Sequence, residues 1–367
     1  MKVCRRALVL ALLTTTGAWA QFVPSINLYT SYTDNLFQTH DGQSDWITQA
    51  YIDLDYAPSG ALSFYYAGNA SVFSQFEDLF SHTHQAGLSY YKPTGENDLL
   101  YGRARLSARL DRAIYSYRDF VQGEVYGLGK FYLRPTLLGR GGFALRYWEY
   151  VNERDYSYIE QEVFGKISQF LPSRTTLQAD SELGVKTYVR ARPQDPRTLL
   201  ETRSGNGRSL IQLVSRFKVA QSLTQGTGLQ LEYQHRANLA GQIRFADPNL
   251  YDPDADLFDD RYSYDGHHYR TALKHLGVWE VELEASAQWE RRRYQGRPAL
   301  DLDGVFISDG VTRKDRRTTL AMGLERSFGW EREVVVQLDW LYREVDSNDP
   351  YYSGVSQTLS TGVQFGF

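Results

Sequence analysis

The side chains with the clearest capacity for chemistry are charges that recur at every second residue. Arg103, Arg105 and Arg109 alternate with Gly102, Ala104, Leu106, Ala108 and Leu110, and Glu282, Glu284 and Glu290 alternate with Val281, Leu283, Ala285, Ala287 and Trp289. A period of two sends the two sets to opposite faces of a strand. Each charged stripe can therefore act as a wall, arginine on one and carboxylate on the other. Facing each other across an interior, such walls make a transverse field that orients water and dipolar solutes. In a narrow interior the same charges would bridge instead. Asp180 and Glu182, with Glu160 and Glu162, form a second acidic group that offers the arginines nearer partners.

Other residues invite a metal or catalytic reading that their spacing does not sustain. The run Asp252-Pro253-Asp254-Ala255-Asp256-Leu257-Phe258-Asp259-Asp260 begins with the alternate carboxylates of a calcium loop, whose hard oxygen ligands converge on one cation. Leu257 stands where glycine must make the tight turn, and Ser263 where a bidentate glutamate belongs. The expectation is an acidic, hydrated loop and no metal site. His40, His82, His84, His235, His267, His268 and His275 are scattered, and no serine–histidine set with an orienting amide stands out. No catalytic residue, cofactor or enzymatic activity is expected.

The elements that must carry the charges are long amphipathic strands. Trp46 to Tyr56, Leu177 to Lys186 and Val334 to Arg343 repeat the alternation, and weaker segments near 25–33, 61–74, 81–91, 119–132, 141–150, 158–169, 209–220, 228–238, 264–275 and 315–326 fill the gaps. With the last segment, Leu359 to Phe367, the total is about 16 strands, and an even number suits antiparallel closure. Tight turns at Pro58-Ser59-Gly60, 93–97, 171–174, 225–227 and 328–330 follow even strands, whereas long polar stretches at 34–45, 190–207, 239–262, 294–313 and 345–354 follow odd ones. The expected fold is all-β: a transmembrane antiparallel β-barrel with both termini in the periplasm. Trp46, Tyr147, Trp289 and Trp340 would form the outer aromatic belt, and Tyr56, Tyr90, Phe217 and Phe367 the inner one.

Composition agrees. The mean hydropathy of −0.47 leaves no uninterrupted apolar stretch for a membrane helix beyond the leader. Lys2, Arg5 and Arg6, the apolar residues 7–13 and Ala18-Trp19-Ala20 form an export signal, so residues 1–20 are expected to be removed and residues 21–367 to form one barrel domain. Losing those three positive charges moves the formal net charge from −4 to −7, which offers nucleic acid nothing. Cys4, the single cysteine, leaves with the signal, so no disulfide or lipid anchor is expected.

Tyr32-Thr33-Asp34-Asn35-Leu36-Phe37 resembles the Tyr-x-Asp-Asn-x-Phe opening of β-barrel porins associated with exopolysaccharide export systems. The resemblance implies a Gram-negative outer-membrane channel. Its expected partners are outer-membrane lipid and lipopolysaccharide, the barrel-assembly machinery at the strand ending in Phe367, and small hydrophilic solutes or a polysaccharide. Arg103, Arg105, Arg109, Asp180, Glu182, Glu282, Glu284 and Glu290 are the expected pore-lining residues. General porins fold in a long loop after the fifth strand; here that connection, about residues 111–118, is too short. Constriction would have to come from lumen side chains or from the 239–262 loop. A polymer conduit, with Tyr51, Tyr65, Tyr101 and Tyr188 as stacking surfaces, and a closed structural or adhesive barrel are the alternatives.

Overall fold

The computed structural model describes residues 22–190, 209–241, 261–303, 305–308, 310–329 and 333–366. The leader, the acidic run Asp252 to Asp260 and Phe367 lie outside these residues. The chain enters β1 (Phe22–Thr33), β2 (Asp45–Tyr56), β3 (Leu62–Phe73), β4 (Ser81–Pro93), β5 (Leu99–Asp111), β6 (Phe120–Arg134), β7 (Leu137–Tyr150) and β8 (Tyr158–Phe170). It continues through β9 (Thr175–Tyr188), β10 (Ser209–Ser222), β11 (Thr227–Ala240), β12 (Tyr264–Leu276), β13 (Val281–Pro298), β14 (Thr312–Gly329), β15 (Glu333–Ser347) and β16 (Gly354–Gly366). Each strand pairs antiparallel with its sequence neighbours, and β1 pairs with β16, so the sheet closes and leaves no free edge. At the inter-strand spacing of a sheet and the usual tilt, sixteen strands make a ring roughly 30 Å across at the backbone.

One alternating set of side chains is apolar and strongly exposed, with Leu106 at 67% and Val163 at 64%; the other is polar and shielded, with Glu124 at 4% and Gln122 at 7%. In a closed sheet the concave face is the shielded one, so the charges point into the barrel and the apolar residues outward. Every strand is longer than the 9–11 residues needed to cross a bilayer at the usual tilt. Trp46, Tyr147 and Trp289 stand exposed near one rim, and Tyr56, Tyr90 and Phe217 near the other.

Connections after even strands are short and those after odd strands longer, and β1 begins and β16 ends at the short-turn rim. Two short turns are not among those expected from turn residues in the sequence. Between β6 and β7 only Pro135 and Thr136 intervene, next to a Gly-rich start of β7 that blurs alternation. Between β12 and β13, Trp279 and Glu280 adopt φ of 61° and 60°, a left-handed conformation that costs a side-chain-bearing residue about 1–2 kcal/mol. The expected long loop at 294–313 is shortened because β13 runs to Pro298 and β14 begins at Thr312. A stack of charge and rings holds these strand extensions together: Arg313 is bidentate to Asp315 at 2.9 and 2.8 Å and lies over the rings of Tyr294 and Tyr352.

The Tyr-x-Asp-Asn-x-Phe segment sits at the seam. Asn35 is buried and donates from Nδ2 to the carbonyls of Thr39 and Val355, at 2.7 and 3.1 Å. Asp34 accepts the backbone N–H of Gln357 at 2.7 Å, and Phe37 packs edge-on against Phe76. These contacts fasten the first connection to β16, where closure depends on residues more than 300 positions apart.

Candidate functional site: a charged lumen crossed by a loop end

The alternation places all eight expected lining residues on the inward face, but their partners are local. Arg103 and Arg105 both donate to Glu124 of β6, at 2.7 and 3.0 Å. Arg109 is bidentate to Asp111 on its own strand, at 2.8 Å for each bond. Across the ring, Glu284 accepts from Arg270 at 2.9 Å, Glu282 pairs with Lys274 at 2.5 Å, and Glu290 pairs with Arg292 at 2.8 Å. Asp180 pairs with Arg216 at 2.9 Å. The reason is dimensional: side chains on opposite walls of a ring roughly 30 Å wide cannot touch, so each charge takes a counter-ion from its own or a nearby strand. The arginine strand β5 and the glutamate strand β13 do stand eight strands apart on opposite sides of the ring, but each is neutralised by counter-ions on its own side, so the two walls do not bridge.

The longest network was not visible as a stripe. Glu124 also accepts from Arg146 of β7 at 2.8 Å, and Arg146 reaches Glu162 at 2.8 Å and Glu160 at 3.3 Å on β8. Arg261, just before β12, pairs with Glu160, Glu162 and Glu182. Four arginines and four glutamates thus form one band from β5 to β9. The Tyr262 hydroxyl donates to Glu160 at 2.9 Å and is fully buried beside Leu210.

Arg261 and Tyr262 can make these contacts only if the backbone leaves the wall. Three to four strands separate β12 from β9 and β8, a chord of about 20 Å, which is beyond the reach of an arginine. The hydrogen bonds trace the crossing: Gln212 of β10 donates to the Arg261 carbonyl at 2.6 Å, and Asn238 of β11 to the Tyr262 carbonyl at 2.9 Å. Gly184, inward-facing on β9, makes the room. A β-carbon there would overlap the Tyr262 hydroxyl and press on the Arg261 guanidinium. Burial opposes the Arg261 charge, yet Glu160 and Glu182 hold its pKa above the usual arginine value, and burial raises that of Tyr262. The pair therefore enters the barrel as a fixed cation and a protonated donor.

Charge is segregated nearer the short-turn rim. Lys130, Arg140 and Lys166 face each other directly across β6, β7 and β8, with Lys218 two strands further on. On the opposite half, Glu282 faces Glu325 across β13 and β14, and Asp339 lies on β15. Among the described residues, Lys130, Arg140, Lys166, Glu325 and Asp339 take part in none of the ion pairs above. Of the residues singled out from the sequence, Glu282 belongs to this divided charge; Lys130, Arg140, Lys166, Lys218, Glu325 and Asp339 were not among them.

Of the four tyrosines expected as stacking surfaces, three make ring contacts, and the buried Tyr65 hydroxyl has no hydrogen-bond partner among the described residues. Tyr51 packs edge-on against Tyr29, and Tyr101 against Tyr126; Tyr188 is buried with Tyr150, Tyr156 and Tyr158 near the long-loop rim. His82 and His84 pair on the outward face beside Tyr66. Among the described residues no group of three or more His, Cys, Asp or Glu is placed to hold a metal ion.

The chain matches no protein-family model and no curated protein. Its fold is similar to solved outer-membrane structures. The outer-membrane protein opdK of Pseudomonas aeruginosa aligns over 95% of this chain and 99% of its own, with 11% identity and a TM-score of 0.54. OccD3 (OpdP) of the same species aligns over 94% and 91%, with 9% identity and a TM-score of 0.51. OccAB1 of Acinetobacter baumannii aligns over 94% and 96%, with 11% identity and a TM-score of 0.51. At such identity the likeness is one of fold: a closed sixteen-strand antiparallel barrel.

Proposed function

We propose that this protein is a passive outer-membrane channel for small hydrophilic solutes, constricted by the inserted Arg261–Tyr262 backbone and biased by the divided charge below it. The observation that carries the reading is the crossing itself. A sixteen-strand ring is wide enough to leave an aqueous passage, and a chain segment pinned over the inner face of β11 and β10, with its side chains reaching β9 and β8, narrows that passage. Outer-membrane placement is supported by the closed edge, the apolar exterior, the two aromatic rims and the likeness to an outer-membrane protein. The short turns and both termini then face the periplasm and the long connections face outward.

On this reading residues 1–20 are a cleaved export signal, the rest is one barrel domain, and the carboxyl-terminal strand is the segment offered to the barrel-assembly machinery. Arg103, Arg105, Asp180, Glu182, Glu282, Glu284 and Glu290 line the passage, with Arg109 nearer its outer mouth. Lumen residues act by field and fit and carry no bond-making step.

A polymer-export role is favoured by one feature, the paired lumen rings Tyr29–Tyr51 and Tyr101–Tyr126, which offer faces for sugar stacking. Liposome swelling separates the two readings. A small-solute channel admits mono- and disaccharides and excludes longer oligosaccharides, whereas a conduit admits a long glucan about as readily as a disaccharide. No swelling with any sugar would refute both.

A further inference from the structure

Four cations on the outer surface have no role in the lumen. Arg291 and Arg293 of β13 and Lys314 and Arg316 of β14 occupy outward positions and are exposed. The register sets Arg291 directly opposite Arg316, and Arg293 directly opposite Lys314. Like charges in directly opposed pairs destabilise a sheet, and here two such pairs lie next to each other. Asp346 of β15 approaches Arg316 at 3.8 Å, with both side chains mostly exposed. Among the described residues, Arg291, Arg293 and Lys314 have no carboxylate partner. On the other side His267 lies opposite Arg291 and adds no negative charge, and Asp265, opposite Arg293, accepts instead from the Asn238 backbone N–H and from Gln295 Nε2.

Their height is specific. Outward positions from Val281 to Trp289 are apolar, and β14 matches them with Thr318, Leu320, Met322 and Leu324. Nine residues of tilted strand rise roughly 20–25 Å, about the height of the apolar band of such barrels. Trp289 closes the band with Tyr269 and Tyr233 packed beside it. Arg291 and Arg316 begin one step beyond the rings and Arg293 and Lys314 one step further, at the long-loop rim. A polyanion held at that depth would relieve the repulsion, and one class of molecule presents phosphates there with acyl chains alongside the apolar wall.

We propose that Arg291, Arg293, Lys314 and Arg316 form a binding site for the phosphates of lipid A in the outer leaflet. The site rests on the outer-membrane placement and orientation given above and is independent of conduction. Guanidinium groups suit it because they bind phosphate bidentately, and the rings of Trp289 and Tyr269 would flank the first acyl chain.

Native mass spectrometry of the delipidated full-length mature barrel, titrated with bisphosphorylated lipid A, tests the proposal. Expected are a wild-type complex and binding at least about tenfold weaker in R291Q/R293Q/K314Q/R316Q. R326Q, which removes an outward cation at the opposite rim, should bind as wild type does. Dephosphorylated lipid A offered to the wild-type protein should bind as weakly as bisphosphorylated lipid A does to the quadruple variant, a comparison that needs no variant to fold. Unchanged affinity in the quadruple variant, equal loss in R326Q, or equal binding of dephosphorylated lipid A or phosphatidylglycerol would overturn the proposal. Loss of the site in a barrel that still conducts refutes this inference alone, and lipid binding by a barrel that never conducts refutes the channel alone.

Discussion

Replacing Arg261 with alanine removes the cation that joins Glu160, Glu162 and Glu182. The band of four arginines and four glutamates is left one positive charge short, and the crossing segment loses its attachment to β8 and β9. For an ion passing about 5 Å from those carboxylates, one unbalanced charge is worth about 0.8 kcal/mol in water and about half that after screening at 0.15 M salt. Cations would enter about twice as readily and anions about half as readily, so the cation-to-anion permeability ratio should rise about fourfold. At 1 M salt the Debye length shrinks to about 3 Å and the rise should fall below about twofold. Reversal potentials across a planar bilayer with a salt gradient, recorded at both concentrations, measure this. Unit conductance should increase as well, and R261K should retain the wild-type selectivity. An unchanged reversal potential and conductance in a folded R261A barrel would refute the placement of this segment in the ion path.

Other substitutions test other parts of the structure. Gly184→Leu puts a side chain where Tyr262 now lies, so it should expel the segment and raise unit conductance as R261A does; a wild-type trace would count against the cradle. Arg140→Glu reverses the middle of the Lys130–Arg140–Lys166 row and should shift reversal potentials toward cations by at least as much as R261A, since two unit charges change. Leu106→Arg puts a charge on the outward face near the middle of β5 and should cost about 2–4 kcal/mol in urea unfolding from lipid bilayers, whereas Ser107→Arg, facing inward, should cost far less. Asn35→Ala leaves the buried Thr39 carbonyl and the part-buried Val355 carbonyl without their donor and should lower stability at the seam by about 1–3 kcal/mol, measured in the same way.

Strand positions and facing were legible because a barrel wall imposes one rule on every residue: neighbours point to different solvents. Segments such as 100–110 and 281–289 obey it without interruption. The rule weakened where side chains were small, as at Gly139, Gly141 and Gly142 of β7, and where Trp279 and Glu280, not Gly277, take the left-handed turn conformation. For the site, alternation placed Arg103, Asp180 and Glu282 on the inward face but could not assign their partners, which depend on strand order around the ring. Glu124 and Arg146 obeyed the same alternation and were recoverable from the β5–β6–β7 register. Arg261 was not, because it belongs to no strand. Its position follows from side chains on β8 to β11 that become neighbours only when those strands pair, and the brevity of the connection after β5 left lumen side chains and the 239–262 segment as alternative sources of a constriction.

Single-channel recording of the purified wild-type protein in planar bilayers tests the central claim most directly. Stepwise insertions with an ohmic unit conductance that stays open across moderate voltages are the predicted result. A barrel that is fully folded, resists heat unfolding and inserts into lipid yet passes no current would contradict the account.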